Sequence, residues 1–316
     1  MKAAIGTPFF TVFTPTYNRA HTLHRVFDSL SAQTFQDFEW LVVDDGSTDN
    51  TSELIGAWMK TANFPVRYFR QPHSGKHIAH NLAIQQARGE MWTGIDSDDA
   101  LVPHALERIR WLWLEIPDAE RRNYLSVAGL CQDQRGGKLG RPFPSSPFDV
   151  DVREYLFLYR RLFGETWGAS PMHSVRRFPF PEIAGTNFVP EGAHGLQMAR
   201  AHRMTRFVNE IFRIYYVNDR KTGANLSSRR EVAKSAPGRL YYYAWVLNHE
   251  MEYFRRAPVP FIKAAAMLPV VARYANRPLR EVLRGLKNWD AKLLIFAAMP
   301  LSLLLTIFFR LIAQRE

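Results

Sequence analysis

Three aspartates in four positions close a hydrophobic run at Ile95-Asp96-Ser97-Asp98-Asp99. Carboxylates a few ångströms apart repel, and burial raises the cost of keeping them ionised. A divalent cation relieves that repulsion. Hard oxygen donors on one short turn suit Mg²⁺ or Mn²⁺ that is also held by substrate phosphates. The cluster therefore points to phosphate-linked chemistry, although a solvated acidic turn after a strand has the same composition.

Three further segments carry polar residues directly after apolar runs. Thr14-Pro15-Thr16-Tyr17-Asn18-Arg19 ends the first run, and its turn could offer backbone to a nucleobase or be a turn and nothing more. Val43-Asp44-Asp45-Gly46-Ser47-Thr48-Asp49 ends the second. A carboxylate there can accept the imide N–H of uracil, with Gly46 permitting close backbone approach, or can simply cap the following turn. Ser74-Gly75-Lys76-His77 follows the third and sets a lysine at a helix start, where ammonium and helix N-terminus both favour a diphosphate. It is not a Walker A loop, because the spaced preceding glycine is absent.

The elements that must position these residues alternate. Phe9–Thr14, Phe38–Val43, Val66–Phe69 and Met91–Ile95 read as strands. Helices are expected over His21–Gln33, with Leu23, Val26, Phe27 and Leu30 on one face, and over Lys76–Arg88, stopped by Gly89. A third is expected after an Asn50/Glu53 capping box. This order predicts an α/β fold with a mostly parallel sheet flanked by helices, and ligands beyond the carboxyl ends of the strands. Pro103–Ile116 reads as helix and Tyr124–Cys131 as strand. Gln134–Asp151, rich in Gly, Pro and Ser, reads as a loop separating a nucleotide-binding half from an acceptor-side region.

Hydrophobic residues at 47% and aromatics at 13% exclude a largely disordered chain among these 316 residues. The single cysteine, Cys131, excludes an intramolecular disulfide framework and fits a reducing compartment; it reads as a small buried apolar side chain. The segment Met1–Pro8 holds no apolar run of signal-peptide length, so a cytoplasmic-side protein is expected. Charge is uneven. Residues 1–199 carry 20 Lys/Arg and 22 Asp/Glu, whereas residues 200–316 carry 21 and 8, which accounts for the formal +11. Leu293–Phe309 is a run of 17 uncharged residues with Pro300 inside, bounded by Lys292 and Arg310. That is the lower limit for spanning hydrocarbon. Upstream, Lys263, Arg273, Arg277, Arg280, Arg284 and Lys287 interleave with apolar residues. The pattern suits an interfacial anchor on an anionic leaflet, with a buried C-terminal helix as the competing reading. No motif supports nucleic-acid binding.

Taken in order at successive strand ends, the segments 14–19, 33–51, 74–90 and 95–99 resemble the family 2 glycosyltransferases, with their GT-A fold. The resemblance covers roughly residues 8–110 and continues more loosely to about 225. It implies a GT-A domain over 1–230, with a nucleotide-binding half over 1–110 and an acceptor-side half over 111–230. The remaining residues, 231–316, form a helical C-terminal membrane-associating region. It further implies metal-dependent, inverting transfer from a nucleotide-sugar, often UDP-linked, to a glycan or lipid-linked acceptor in cell-surface polysaccharide synthesis, at the cytoplasmic face of the cell membrane. By the resemblance Asp96-Ser97-Asp98 is the Asp-x-Asp element. Asp98 is then the main ligand for Mn²⁺ or Mg²⁺, Asp96 a ribose or metal partner, and Asp99 a support. Asp45 contacts the uracil, and Asp44 is structural. Thr14, Pro15, Tyr17 and Arg19 line the nucleotide pocket, and Lys76 meets the diphosphate.

Inversion needs a base opposite the leaving group. The resemblance assigns it to Glu191, with Glu182 as fallback, although a glutamate at a helix N-terminus is also favoured by the dipole. Many relatives carry Trp and Arg on that helix where this chain has Gly195 and Gln197, which puts the acceptor site in doubt. His173, His194 and Asp219 could lie near the pocket, and Arg220 could approach the diphosphate. Two other functions fit parts of the pattern. A nucleotidyltransferase would carry a Gly-rich basic loop after the first strand, which TPTYNR is not. A non-catalytic nucleotide-sugar-binding protein would keep the acidic turn without turnover.

Overall fold

The computed structural model describes residues 6–217 and 233–312. The chain divides into two compact units, Met1–Pro179 with Leu196–Arg220, and Phe180–Gly195 with Lys221–Glu316.

The first unit is built on a nine-stranded sheet of order β3-β2-β1-β4-β8-β6-β9-β5, with β7 also on β9. Its first four strands are β1 (Phe10–Thr16), β2 (Phe38–Asp44), β3 (Val66–Arg70) and β4 (Met91–Gly94), which pair parallel with one another. The expected parallel order belongs to these four. Beyond them come β5 (Ala100–Leu101), β6 (Tyr124–Asp133), β7 (Phe148–Asp151), β8 (Thr166–Pro171) and β9 (Met204–Tyr215). Here only β6 and β9 pair parallel, while β8 runs antiparallel to both β4 and β6. Thus the second half extends the same sheet. The segment read as a separating loop ends as strand β7, paired with β9. Its glycines and prolines describe the stretch before β7, not the whole interval.

β1 and β2 are buried on both faces, as strands covered by helices on each side must be. Val12, Trp40 and Val42 pack with Leu23, Val26 and Leu30 of α1 (Ala20–Ser31), Ile55 of α2 (Thr51–Thr61), and Leu106 and Ile109 of α4 (Ala105–Leu114). Phe13, Leu41 and Val43, one residue out of phase, pack with Ala79, Ala83 and Ile84 of α3 (Lys76–Gln86). Each such side chain contributes about 1.5–3 kcal/mol on burial. A one-residue slip would exchange the two packed faces and turn Asp44 away from the Ser47 amide and the Tyr68 hydroxyl.

Two local expectations are corrected. Asn50 occupies the N-cap of α2 but its side chain caps nothing. Asp49 Oδ1 instead accepts from the Thr51 amide at 3.1 Å and hydroxyl at 2.5 Å, and its other oxygen accepts from the Ala20 amide. One carboxylate thus ties two helix starts, and Glu53 bonds Ser52. Likewise Gly89 does not stop α3, which ends at Gln86. Gly89 lies against the Phe10–Thr11 backbone, where any Cβ would overlap the Thr11 amide.

The second unit is helical over Ala236–His249, Pro258–Tyr274, Leu279–Arg284 and Trp289–Ile312. The last helix buries Ala291, Ile295, Ala298 and Ser302. The Ser302 hydroxyl donates to the Ala266 carbonyl at 2.8 Å, joining it to helix Pro258–Tyr274. Its other side exposes Trp289, Leu293, Phe296, Leu303, Leu304 and Phe308. Trp289–Phe309 is long and apolar enough to cross a membrane, and only 17% of its most apolar window is buried. The reading of this stretch as an ordinary buried helix does not survive that exposure.

Candidate active site

The polar residues singled out in the sequence gather at the carboxyl ends of β1 to β4. Parallel pairing sets Thr16 beside Asp44 and Asp44 beside Arg70. The loops that leave these strands are then stitched together. Asn18, at φ 53°, accepts through Oδ1 from the Thr48 amide at 2.7 Å, and its own amide donates to the Ser47 hydroxyl at 2.9 Å. Asp44 is structural, as expected: its two oxygens accept from the Ser47 amide and the Tyr68 hydroxyl. Burial, reinforced by that carboxylate, pushes the Tyr68 phenol well above its ordinary value.

Asp45 is buried and organises the loop from β3 to α3. Its Oδ1 accepts from Gln71 Nε2 at 2.7 Å and the Ser74 amide at 2.8 Å; Oδ2 accepts from the Gly75 amide at 2.9 Å and meets His73 Nδ1 at 2.9 Å. A carboxylate has about four acceptor positions, so these four partners fill it. A nucleobase imide reaches this carboxylate only if one partner yields, and half-exposed His73 is the most accessible of them. The ring of His73 stacks on Tyr17 at 4.2 Å, forming an aromatic face at the end of β1. Gly46, at φ 87°, lets the chain turn against the His73 amide, so its freedom serves loop packing.

Of the other β1 residues, Thr14 is turned inward. It is fully buried and accepts from Trp40 Nε1 at 3.0 Å, so its hydroxyl belongs to the core and not to a pocket wall. Pro15 lies within β1 beside Val43. Arg19 is the N-cap residue of α1, with its carbonyl taken by the Thr22 and Leu23 amides.

The acidic turn follows β4 and leads into β5. Asp96 is gripped from two sides: Oδ1 by Lys76 Nζ and Oδ2 by Arg213 Nη2, each at 2.8 Å. The Lys76 ammonium, with Arg213 assisting it against burial, holds the Asp96 carboxyl well below the usual carboxylate range. Asp99 is buried; it accepts from Arg213 Nε at 2.8 Å, closely from Arg213 Nη2, and from the Tyr216 amide at 3.1 Å. Burial pushes its carboxyl upward and Arg213 opposes the shift. Burial works against the Arg213 charge as well, but the two aspartates more than offset it. Asp98 differs. Arg25 Nη1 donates to its backbone carbonyl at 3.1 Å, yet no ion pair engages its carboxylate among the described residues.

Among the described residues no cluster of three or more His, Cys, Asp or Glu side chains is arranged to hold a metal ion. The donor set fits a different mode, in which Mg²⁺ or Mn²⁺ takes one or two carboxylates and completes its shell with substrate phosphates and water. Asp98 is the available carboxylate, with Asp96 beside it.

Arg213 is the residue that sequence reasoning missed. It lies on β9, in register with Leu101 of β5 and Cys131 of β6. Arg213 is the second arginine of strand Met204–Tyr215, after Arg206, and nothing in the strand's sequence sets it apart; the expected basic partner, Arg220, lies with Asp219 outside the described residues. His173 meets His202, with ring centroids 6.2 Å apart, and burial lowers its pKa. In the second unit, His194 stacks on Phe180 at 4.5 Å. Glu191 is the first residue of helix Glu191–Ala201 and is exposed, and Glu182 is exposed in the preceding segment.

Residues 11–118 match the family model described as glycosyl transferase family 2. The chain is 39% identical over 100 residues to the chondroitin synthase of Pasteurella multocida, covering 32% of this chain and 10% of that protein. It is 28% identical over 162 residues, half of each chain, to the GalNAc(5)-diNAcBac-PP-undecaprenol beta-1,3-glucosyltransferase of Campylobacter jejuni. The match thus spans half or less of these relatives' length. Among solved structures, S. aureus TarS 1-349 in complex with UDP-GlcNAc superposes with a TM-score of 0.54 at 17% identity, covering 84% of this chain and 87% of that one. The mannosyltransferase PcManGT of Pyrobaculum calidifontis, in complex with GDP-Man and Mn²⁺, gives 0.53 at 19%, covering 95% and 81%. The fold is therefore GT-A. The likeness to glycosyl transferase family 2 is carried by residues 11–118, about a third of the chain.

Proposed function

We propose that this protein is a metal-dependent, inverting glycosyltransferase. It moves a sugar, hexosyl or related, from a nucleotide-sugar, in the first instance UDP-linked, to a glycan or lipid-linked acceptor in cell-surface polysaccharide synthesis. The observation that carries this reading is the meeting of Asp45, Lys76, Asp96 and Asp98 at the carboxyl ends of adjacent parallel strands, where open α/β sheets bind ligands. The UDP-GlcNAc bound by TarS and the GDP-Man and Mn²⁺ bound by PcManGT support a nucleotide-sugar and a divalent metal. The name of the Campylobacter relative supports a lipid-linked acceptor.

In this reading Tyr17 stacks beside the nucleobase, His73 yields Asp45 to the imide, and Arg19 and Pro15 border the nucleotide. Lys76 meets the diphosphate. Asp98, with Asp96, holds Mn²⁺ or Mg²⁺, which when bound neutralises charge developing on the departing diphosphate. Glu191 takes the proton of the acceptor hydroxyl as it attacks the anomeric carbon. That role rests on the sequence resemblance. Residues 231–316 associate with an anionic membrane surface at the cytoplasmic face, the Trp289–Phe309 helix lying in or across it; the exposed apolar side of that helix and the basic residues upstream support this.

The test is a screen of UDP- and GDP-sugars for Mn²⁺-dependent turnover, with the product identified. Release of nucleoside diphosphate supports the transferase. Release of pyrophosphate would move the assignment to nucleotidyl transfer, and donor binding without turnover on any acceptor would mark a non-catalytic module.

A further inference from the structure

The three aspartates of the turn do not face solvent as bare charges. Lys76 and Arg213 supply two positive charges against three negative ones, and both oxygens of Asp96 are already bonded to a cation. Arg25, whose Nη1 donates to the Asp98 carbonyl at 3.1 Å, adds a third positive charge, so little net charge remains, and Asp98 is the carboxylate without an ion pair among the described residues. A divalent cation arriving alone therefore meets a weakly attractive site with one committed carboxylate.

The two cations are held very differently. Arg213 is buried, with 13% of its side chain exposed. Its fork spans Asp96 and Asp99, and the Tyr215 ring lies 5.1 Å from the guanidinium. A planar fork bridging two carboxylates loses several bonds at once if it moves. Lys76 is 47% exposed on a flexible stem at the first turn of α3, and its carboxylate partner is 38% exposed. Ion pairs of that exposure contribute little to stability.

We propose that Lys76 is an exchangeable counter-ion of the acidic turn: it neutralises Asp96 while the donor is absent and transfers to the donor diphosphate when a divalent cation takes the Asp96 oxygen. Arg213 stays in place as a positioning residue that aims Asp96 and Asp99. This rests on the transferase reading above. It makes the two ligands mutually dependent, because each removes what opposes the other: the diphosphate draws Lys76 off Asp96, and the divalent cation relieves the charge that Lys76 leaves behind. By reciprocity, nucleotide raises Mn²⁺ affinity by the factor by which Mn²⁺ raises nucleotide affinity.

The experiment is a titration of Mn²⁺ alone, followed by the paramagnetic resonance of the free ion, on the full chain, Lys76→Ala and Lys76→Met, each without and with UDP. Both variants should bind Mn²⁺ alone about tenfold more tightly than the parent, since a competing charge is gone, and their enhancement by UDP should fall by at least about tenfold. Melting temperatures matching the parent exclude misfolding as the source. If the parent binds Mn²⁺ and UDP together but the variants bind Mn²⁺ alone no more tightly, the exchange is wrong and the transferase reading stands. If the parent binds no nucleoside diphosphate with Mn²⁺, the transferase reading fails and the exchange fails with it.

Discussion

The two ends of β1 to β4 each hold a carboxylate–cation system, and they are built for opposite purposes. At the amino ends, Glu39 is buried and bonded through both oxygens. It accepts from the Thr11 hydroxyl at 2.7 Å, the Arg88 amide at 2.7 Å and Arg67 Nη1 at 3.1 Å, while Thr11 accepts in turn from the Gly89 amide. It is almost wholly buried, and it joins β1, β2, β3 and the entry to β4. At the carboxyl ends, three aspartates share Lys76 and Arg213, and the Asp98 carboxylate is left without an ion pair among the described residues. In the proposed reading the first network serves the fold, and the second leaves one carboxylate for a cation.

This contrast can be broken most sharply by swapping a single atom at the carboxyl end. Asp98→Asn should leave the fold and melting temperature intact and abolish metal-dependent donor turnover, a loss of at least about a hundredfold; full activity in that variant sinks the metal role. Glu191→Gln tests whether the base lies outside the acidic turn altogether. It should keep donor binding while transfer falls by about 10² to 10⁴, and surviving transfer means another residue takes the proton.

The amino end should respond in the other currency. Arg67→Met strands the buried Glu39 charge and should cost ~3–5 kcal/mol in urea unfolding, with the KM for donor unchanged in the folded fraction; a shift in KM without loss of stability would contradict the division. The smallest effect concerns β6. Burial pushes the Cys131 thiol up to about 12, so the native protein should stay unreactive to a thiol reagent at pH 8 and react at once when unfolded.

Local signals made much of this legible. Strand ends were readable because apolar runs stop at TPTYNR, VDDGSTD and IDSDD, and a parallel βα order forces those stops to one edge. The structural place of Asp44 came from the family resemblance. Arg213 could not be placed, since it reaches Asp99 across 114 residues and its strand carries no motif around it. Thr14 was assigned to the pocket by its motif, but strand alternation turns its hydroxyl to Trp40. The α2 cap was missed by one residue because Asp49, outside the helix, reaches both helix starts better than Asn50 does. The β7 pairing was hidden by composition: four residues of strand cannot outweigh the glycines and prolines before them.

The central claim, that the carboxyl ends of these strands bind a nucleotide-sugar through a shared divalent cation, is tested most directly by calorimetric titration of UDP and UDP-sugars into the full chain, with Mn²⁺ and with chelator. The account predicts saturable binding with Mn²⁺ that weakens by at least about tenfold on chelation. Equal affinity in chelator, or no binding of any nucleoside diphosphate in Mn²⁺, would contradict it.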